Sequence, residues 1–363
     1  MRLTPLAASL PSTVPFTGPE ALERQQNRRF TARLGANESL FGPSPLAITA
    51  MQDATREVWK YGDPENHALK AALARHHQIS PAHIVVGEGI DALLGYLVRL
   101  TVQPGDSVVT SDGAYPTFNF HVAGYGGTLH RAPYKACHED PDALLTLAAA
   151  TKARLIYLAN PDNPMGSHHP AATIEARVRD LPPDTLLILD EAYIDFAPPG
   201  TAPGIDPDHR QVIRFRTFSK AYGMAGLRVG YAITNAPLAQ AFDKVRNHFA
   251  MGPIAQAGAL AALHDQAYLA QVQSYAASAR SRLTQIARDN GLTPLPSATN
   301  FVTMDCGRDG VFARAILNTL AEKGIFVRMP GVAPLDRCIR VSLGDTAAME
   351  AFATALPLAL NAL

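Results

Sequence analysis

One lysine stands in an almost uncharged stretch of the chain, RTFSKAYGMAGLRVG at residues 216–230. Lys220 is the only charged side chain between Arg216 and Arg228, and its neighbours are small, hydroxylated or apolar. A surface lysine usually lies among polar groups, because its ammonium group is strongly hydrated. A lysine in an apolar pocket can instead act as a nucleophile or form an imine with a carbonyl compound. This stretch alone is compatible with both a solvated loop lysine and a reactive one.

Other polar or glycine residues follow short apolar runs elsewhere in the chain. They are Gly87-Glu88-Gly89 after IVV, Asn160 to Asn163 after LIYLA, Asp190 with Tyr193 in LLILDEAY, and Thr217 to Lys220 after VIRFR. In parallel sheets, ligands bind outside the carboxyl ends of the strands. If these runs are parallel strands, we expect their polar ends to converge on one site.

The elements that must position this site read as strands alternating with helices. Six runs rich in Val, Ile and Leu fit buried strands, at residues 84–89, 107–113, 155–160, 186–193, 212–219 and 228–233. This alternation predicts an α/β fold with a mostly parallel sheet between helices. After residue 255 the pattern changes to a long Ala-rich helix, then strand patterns at 300–306 and 338–343 around a helix at 311–323. We therefore expect a large domain at 46–255 and a smaller α+β domain at 256–363, which residues 1–45 join as an N-terminal arm.

Composition narrows the class of protein. The 363 residues are 47% hydrophobic and 18% charged, with a formal net charge of zero, so neither nucleic acid nor an anionic membrane surface is favoured as a partner. The three cysteines, Cys137, Cys306 and Cys338, are scattered and show no metal-type spacing, which favours a reducing compartment. The first residues make a poor secretory signal, and no apolar run reaches the length of a membrane span. The sequence predicts a cytoplasmic protein without a metal.

Pyridoxal 5'-phosphate is a ligand that needs this combination of groups. Its aldehyde forms an imine with a lysine, and its ring nitrogen needs a carboxylate to hold a proton. Its phenolic oxygen takes hydrogen-bond donors, and its phosphate takes hydroxyls, backbone N–H groups and an arginine. Lys220 and Asp190 supply the first two of these requirements.

Several segments together resemble the fold-type I, class I/II pyridoxal-phosphate aminotransferases, most closely the histidinol-phosphate aminotransferase group. They occur in family order at family-like spacing over almost the whole chain: LGANESLFGPSP (34–45), KYGDP (60–64), NPDNPMG (160–166), LDEAYIDF (189–196), FSKAYGMAGLRVG (218–230) and CIRVSLG (338–344). The resemblance implies a seven-stranded sheet in the large domain and a homodimer with shared active sites.

The resemblance also implies roles around the cofactor ring. Lys220 forms the imine and, once released by substrate, moves a proton between the substrate Cα and the cofactor. Asp190 pairs with the ring nitrogen, and Tyr193 and Asn163 hydrogen-bond the phenolic oxygen. Tyr115 stacks on the ring.

For the phosphate, the resemblance implies Arg228 together with Thr217 and Ser219. Backbone amides at the start of a helix, at Gly89, Ile90 and Asp91, face the same phosphate. Tyr61 reaches the phosphate of the neighbouring subunit. Isoleucine at position 90 departs from the hydroxyl residue usual in this turn, so only the backbone contact is expected there.

On the substrate side the resemblance implies Asn37, Arg328, Arg340 and Phe16. Arg340 would bind a carboxylate or phosphate. Phe16 stands where the histidinol-phosphate group tends to have a tyrosine that contacts the substrate phosphate, and a phenylalanine lacks that hydroxyl.

The expected activity is ping-pong transamination between an amino donor and a 2-oxo acid. L-Histidinol phosphate or an aromatic amino acid is the expected donor, and 2-oxoglutarate is the expected acceptor. Two alternatives remain open on the sequence: a decarboxylase of amino-acid phosphates on the same fold, and a cofactor-binding regulatory protein without catalysis.

Overall fold

A computed structural model describes residues 2–12 and 16–363. Its α-helices are α1 Pro5–Ser9, α2 Pro19–Gln26, α3 Pro45–Ala54, α4 His67–His77, α5 Ile90–Thr101, α6 Thr117–Gly124, α7 Pro141–Thr151, α8 Ala171–Arg179, α9 Ala236–Ala241, α10 Pro253–His264, α11 Gln266–Asp289, α12 Gly310–Glu322 and α13 Thr346–Leu360. Its β-strands are β1 Ala32–Arg33, β2 Ile84–Gly87, β3 Ser107–Ser111, β4 Thr128–Ala132, β5 Leu155–Ala159, β6 Leu186–Asp190, β7 Val212–Thr217, β8 Gly230–Ile233, β9 Thr293–Pro294, β10 Phe301–Asp305, β11 Ile325–Phe326 and β12 Cys338–Ser342.

The main sheet has seven strands in the order β2-β8-β7-β6-β5-β3-β4. Each neighbouring pair among strands β4, β3, β5, β6 and β7 is parallel. Strand β8 runs antiparallel to both of its neighbours, β7 and β2. Strand β2 therefore points in the same direction as β7. The predicted α/β fold with a mostly parallel seven-stranded sheet is confirmed.

Both faces of this sheet are buried, which explains why its central strands are continuous apolar runs. Along β5, Leu155 and Tyr157 pack into one apolar cluster with α5, while Ile156 and Leu158 pack into another with α7 and α8. Successive side chains of a strand point to opposite faces, so a strand covered on both sides has no polar alternation.

Strand β4, Thr128–Ala132, was not among the predicted strands. It is the edge of the sheet, and its sequence TLHRA is mostly half-buried or exposed. An edge strand needs no continuous apolar run, and this one therefore lacks the signal that identified the central strands.

The later part of the chain forms a smaller antiparallel sheet, β12-β10-β9, with helices α11, α12 and α13. The predicted strand–helix–strand pattern is confirmed, but the predicted long helix is two helices. Asp265 separates them, and its carboxylate accepts a hydrogen bond of 3.1 Å from the Tyr268 N–H at the start of α11. The domain boundary at residue 255 stays a prediction, since one apolar cluster contains residues from both sides of it.

No helix in the described residues is long and apolar enough to cross a membrane. Within those same ranges, no group of three or more His, Cys, Asp or Glu side chains could hold a metal ion.

Candidate active site

The carboxyl ends of the central strands meet at one edge of the sheet. Asp190 at the end of β6 lies beside Ala159 of β5 and Phe215 of β7, and Gly230 of β8 pairs with both Thr217 and Gly87. A cavity of about 750 Å³ opens at this edge. Of the predicted site residues, the cavity is lined by Phe16, Asn37, Ile90, Asp91, Tyr115, Asn163, Asp190, Tyr193, Thr217, Ser219, Lys220, Arg228, Arg328 and Arg340.

Lys220 follows β7 and reaches into this cavity. Its Nζ donates a hydrogen bond of 3.2 Å to the Asn37 carbonyl and lies 5.5 Å from the centre of the Tyr193 ring. No salt bridge of the described residues includes this ammonium group. Within the described part of the chain, the amine is thus held beside the cavity by one hydrogen bond to a neutral acceptor. A carbonyl compound in the cavity has only this hydrogen bond to displace when it reacts with the amine.

Asp190 is a buried carboxylate with two donors. Its Oδ1 accepts from the Ala192 N–H at 2.9 Å, and its Oδ2 accepts from the Tyr157 hydroxyl at 2.6 Å. Burial raises the pKa of Asp190 to about 6, although both hydrogen bonds act in the opposite direction. A carboxylate that is costly to ionise in isolation is suited to a cationic partner, such as a protonated ring nitrogen.

The Tyr193 side chain contacts the N-terminal segment of the chain. Its hydroxyl oxygen accepts a hydrogen bond of 3.0 Å from Asn37 Nδ2, and its ring packs edge-on against Phe301 with 5.5 Å between centroids. Asn37 was predicted on the substrate side. Its side-chain oxygen also has a partner, the Ser342 hydroxyl at 3.1 Å.

An anion-binding region lies at the start of α5. Gly89 precedes the helix with φ of 89°, and a Cβ at this position would lie 2.4 Å from Arg228 Nη2. No side chain in the described part of the chain caps this helix end. Arg228 Nη1 is 3.3 Å from the Ser219 hydroxyl, which accepts from Thr217 at 2.9 Å. Free helix N–H groups, two hydroxyls and a guanidinium are together suited to a phosphate.

Arg228 itself has a left-handed backbone conformation, with φ of 56°. A non-glycine residue in this region is strained and persists only where its surroundings hold it there. The strain therefore agrees with a position fixed for function.

Tyr115 contacts the first turn of the same helix. Its hydroxyl is 3.1 and 3.2 Å from the two carboxylate oxygens of Asp91, and burial raises its pKa above the usual value. Asp91 also lies 4.0 Å from the Arg228 guanidinium. The Asp91 side chain thus binds protein donors, and only its backbone N–H is suited to an anion.

Two arginines from the later part of the chain, Arg328 and Arg340, also line the cavity. Their backbones pair, because the Arg328 N–H donates to the Arg340 carbonyl at 3.1 Å and the reverse bond is 2.6 Å. Arg340 contacts the Asn163 side-chain oxygen and donates to the Gly35 carbonyl at 3.1 Å, but its buried Nε has no partner among the described residues. Burial lowers the pKa of Arg340 to about 10. A desolvated guanidinium with a free donor is suited to an anionic ligand.

Arg328 connects the site to the N-terminal arm. Its guanidinium carbon lies 4.3 Å from the centre of the Phe16 ring, and its Nη1 donates to the Thr17 carbonyl at 3.0 Å. Burial lowers the pKa of Arg328. Phe16 thus forms one wall of the cavity over this cation.

Tyr61 does not line the cavity. Its side chain is 79% exposed and packs against Phe249, with 4.7 Å between ring centroids. Trp59 is similarly exposed, at 80%. In this single chain Tyr61 therefore lies outside the cavity that most of the other predicted site residues line.

Sequence reasoning missed three residues of the site. Tyr157 is fully buried and bonds Asp190, and the tyrosine in the apolar run LIYLA was a usable signal. Arg131 and Asp112 line the mouth of the cavity and lie 3.9 Å apart. Arg131 comes from the edge strand β4, which was itself not predicted.

The residues fit pyridoxal 5'-phosphate. The amine of Lys220, the buried carboxylate of Asp190 and the uncapped start of α5 beside Arg228 face one cavity, as the aldehyde, ring nitrogen and phosphate require.

Residues 31–356 match the model of the family described as aminotransferase class I and II. The chain belongs to this family. Among these aminotransferases, the histidinol-phosphate aminotransferase of Anaeromyxobacter sp. is 34% identical over 345 residues, which cover 94% of each protein. That of Moorella thermoacetica is 31% identical over 352 residues, covering 96% of this chain and 90% of the relative.

A solved structure of a related aminotransferase agrees closely in fold. The histidinol-phosphate aminotransferase from Sinorhizobium meliloti, in complex with pyridoxal-5'-phosphate, superposes with a TM-score of 0.96. It is 54% identical and covers 99% of this chain and 98% of its own. The present chain is a fold-type I aminotransferase that uses pyridoxal 5'-phosphate.

Proposed function

We propose that this aminotransferase takes the amino group from L-histidinol phosphate, or from an aromatic amino acid, and passes it to 2-oxoglutarate. The observation that carries the substrate proposal is the pair of backbone-linked arginines, Arg328 and Arg340, that line the cavity. Two adjacent guanidiniums favour a phosphate dianion or a carboxylate at that end of the substrate. The names of the curated relatives support the phosphate ester.

Each residue around the cofactor has one task in this proposal. When bound, pyridoxal 5'-phosphate supplies the carbonyl that takes up the amino group and the ring that delocalises an electron pair. Lys220 holds the cofactor and then carries the proton removed from the substrate Cα. Asp190 keeps the ring nitrogen protonated. Tyr193 and Asn163 donate to the phenolic oxygen, and Tyr115 stacks on the ring.

The phosphate of the cofactor is bound at the start of α5. The backbone N–H groups of Ile90 and Asp91 donate to it, whereas the Gly89 N–H, expected there from the resemblance, is already bonded to the Gly87 carbonyl at 2.8 Å. The Ser219 hydroxyl also donates to the phosphate, and the Thr217 hydroxyl does so by giving up its present hydrogen bond to Ser219. Arg228 supplies the charge. This assignment is supported by the uncapped helix end and by the close approach of Arg228 to Gly89.

The substrate end of the site combines a cation with an apolar surface. Phe16 lies over Arg328 and offers an apolar face, which suits an imidazole or phenyl ring. A phenylalanine cannot donate a hydrogen bond to a substrate phosphate, a contact worth about 0.5–1.5 kcal/mol, or roughly tenfold in binding. We therefore expect the phosphate ester to be preferred only moderately.

We further propose a cytoplasmic homodimer in which Tyr61 completes the phosphate site of the other subunit. The supporting observation is that Tyr61, Trp59 and Phe249 are large aromatic side chains exposed in the single chain. Mixing inactive Lys220→Ala protein with inactive Tyr61→Ala protein should restore activity, because one hybrid site then has both residues. Full activity of a monomer would refute this arrangement.

The substrate proposal is tested by comparing kcat/KM for histidinol phosphate, phenylalanine and threonine phosphate, with 2-oxoglutarate as acceptor. We expect glutamate formation with the first two donors, and a higher kcat/KM for histidinol phosphate. Release of carbon dioxide from threonine phosphate, without glutamate formation from the other donors, would instead establish the decarboxylase.

A further inference from the structure

Three buried side chains from distant parts of the chain meet beside the cofactor site. Asn37 precedes α3, Tyr193 follows β6 and Ser342 ends β12, and they are 3%, 4% and 2% exposed. Asn37 has φ of 55°, a left-handed conformation that asparagine tolerates better than most residues. Its backbone carbonyl is held separately, by Asn300 Nδ2 at 3.0 Å.

The hydrogen bonds among these three residues have a defined direction. The Asn37 backbone N–H donates to Ser342 Oγ at 3.0 Å, and the Ser342 hydroxyl then donates its own hydrogen to Asn37 Oδ1 at 3.1 Å. The other end of the amide is therefore the nitrogen, and it donates to the Tyr193 hydroxyl oxygen at 3.0 Å. Tyr193 receives a hydrogen bond, and its own hydrogen has no acceptor among the described residues.

The opposite amide orientation is disfavoured by the same contacts. With the amide turned over, Ser342 would accept from both the backbone N–H and the side-chain nitrogen of Asn37. Its hydroxyl hydrogen would then have no acceptor in the described part of the chain, and a buried donor without a partner is costly. The turned amide would also accept the Tyr193 hydrogen. Ser342 thus selects the orientation that leaves this hydrogen free to point into the cavity.

We propose that Ser342 is a positioning residue that acts through Asn37 to direct the Tyr193 hydroxyl hydrogen at the phenolic oxygen of the cofactor. The inference rests on the proposed role of Tyr193. It gives Asn37 a task different from the substrate contact predicted from the sequence, and it makes the last residue of β12 part of the cofactor environment, two positions after Arg340.

The series of hydrogen bonds from Ser342 through Asn37 to Tyr193 has a measurable consequence for the cofactor. A hydrogen bond donated to the phenolic oxygen stabilises negative charge there. It thereby lowers the proton affinity of the neighbouring Lys220 nitrogen in the linkage that this lysine forms with the cofactor. Loss of the donor raises the pH at which that linkage loses its proton. For one ordinary hydrogen bond the rise is up to about one pH unit.

The test is a pH titration of the visible absorbance of the purified holoenzyme. Ser342→Ala should raise the midpoint by up to about one pH unit, in the same direction as Tyr193→Phe. In a Tyr193→Phe background, Ser342→Ala should have no further effect, because the hydroxyl through which it acts is absent. Ser297→Ala is the matched control, since the bonds of the Ser297 hydroxyl within the described residues are to Thr299 and the Phe301 carbonyl.

An unchanged midpoint in Ser342→Ala, or an equal shift in the Tyr193→Phe background, would overturn the inference. If Ser342→Ala does not fold, Asn37→Asp tests the same step, because its carboxylate must accept the Tyr193 hydrogen. Asn37→Asp is then measured with Tyr193 present and in the Tyr193→Phe background. The difference between the two midpoint shifts is the effect that passes through Tyr193, and equal shifts would refute the inference. By contrast, a Tyr193→Phe enzyme with the wild-type midpoint would refute the proposed role of Tyr193 itself.

Discussion

Replacing Tyr157 by phenylalanine removes one hydroxyl and should change how the protein holds the charge of Asp190. The Tyr157 hydroxyl donates to Asp190 Oδ2 at 2.6 Å, and both groups are buried. The Tyr157 ring packs on Phe118, and a phenylalanine ring keeps that contact. A hydrogen bond to a charged group contributes about 1.5–3 kcal/mol, which corresponds to about 1–2 pH units in the pKa of the acceptor.

The direction of the change follows from the charge that the hydrogen bond stabilises. Burial already raises the pKa of Asp190 to about 6, and the Tyr157 hydrogen bond opposes that rise. Without the hydroxyl, the pKa should reach about 7–8 in the protein without cofactor. Protonated Asp190 cannot pair with a protonated ring nitrogen. The affinity for pyridoxal 5'-phosphate should therefore begin to fall near pH 7–8 as the pH is lowered, instead of near pH 6.

The assay is a fluorescence titration of cofactor-free protein with pyridoxal 5'-phosphate between about pH 5.5 and 8.5. Comparing variants at each pH cancels the ionisation of the cofactor itself. Tyr134→Phe is the matched control, because Tyr134 donates at 2.8 Å to a different buried carboxylate, Asp162. The reasoning is refuted if Tyr157→Phe has the pH dependence of the wild type, or if Tyr134→Phe shifts it equally.

Two further predictions concern the anion-binding parts of the site. Gly89→Ala should weaken cofactor binding at least about tenfold, because its Cβ would lie 2.4 Å from Arg228 Nη2. The control is Gly105→Ala, which has φ of 91° and open space around it; it carries the same backbone strain and should bind cofactor normally. Equal cofactor affinities of the two variants in binding titrations would contradict the assignment. Arg340→Ala should raise the KM for the amino donor about 10- to 150-fold, because a hydrogen bond to a charged group is lost, with little change in cofactor absorbance. An unchanged KM in steady-state kinetics would exclude Arg340 from substrate binding.

Most of the fold could be predicted because burial on both faces leaves a local signal. Strand β6 and its neighbours are continuous apolar runs that end in polar residues, and the parallel sheet then brings Asp190 and Lys220 to one edge. Strand β4 lacks this signal since it is a half-exposed edge, and Arg131 was missed with it.

The contacts that tune the site could not be predicted in this way. Ser342 and Asn37 are 305 positions apart, and Asn37 and Tyr193 are 156 apart. Their hydrogen bonds depend on how separate segments pack, and no local periodicity encodes that. The resemblance of motifs supplied the identity of the Lys220 and Asp190 positions, but not the directions of the hydrogen bonds around them.

The central claim is that Lys220 is the amine that binds the cofactor in an aminotransferase. Borohydride reduction of the holoenzyme, followed by peptide mass mapping, tests it most directly. We expect the reduced cofactor on the peptide that contains Lys220, and loss of this label when the amino donor is added before borohydride, because the donor releases the lysine. A label on a different lysine, or a label on Lys220 that no amino donor can displace, would contradict the account.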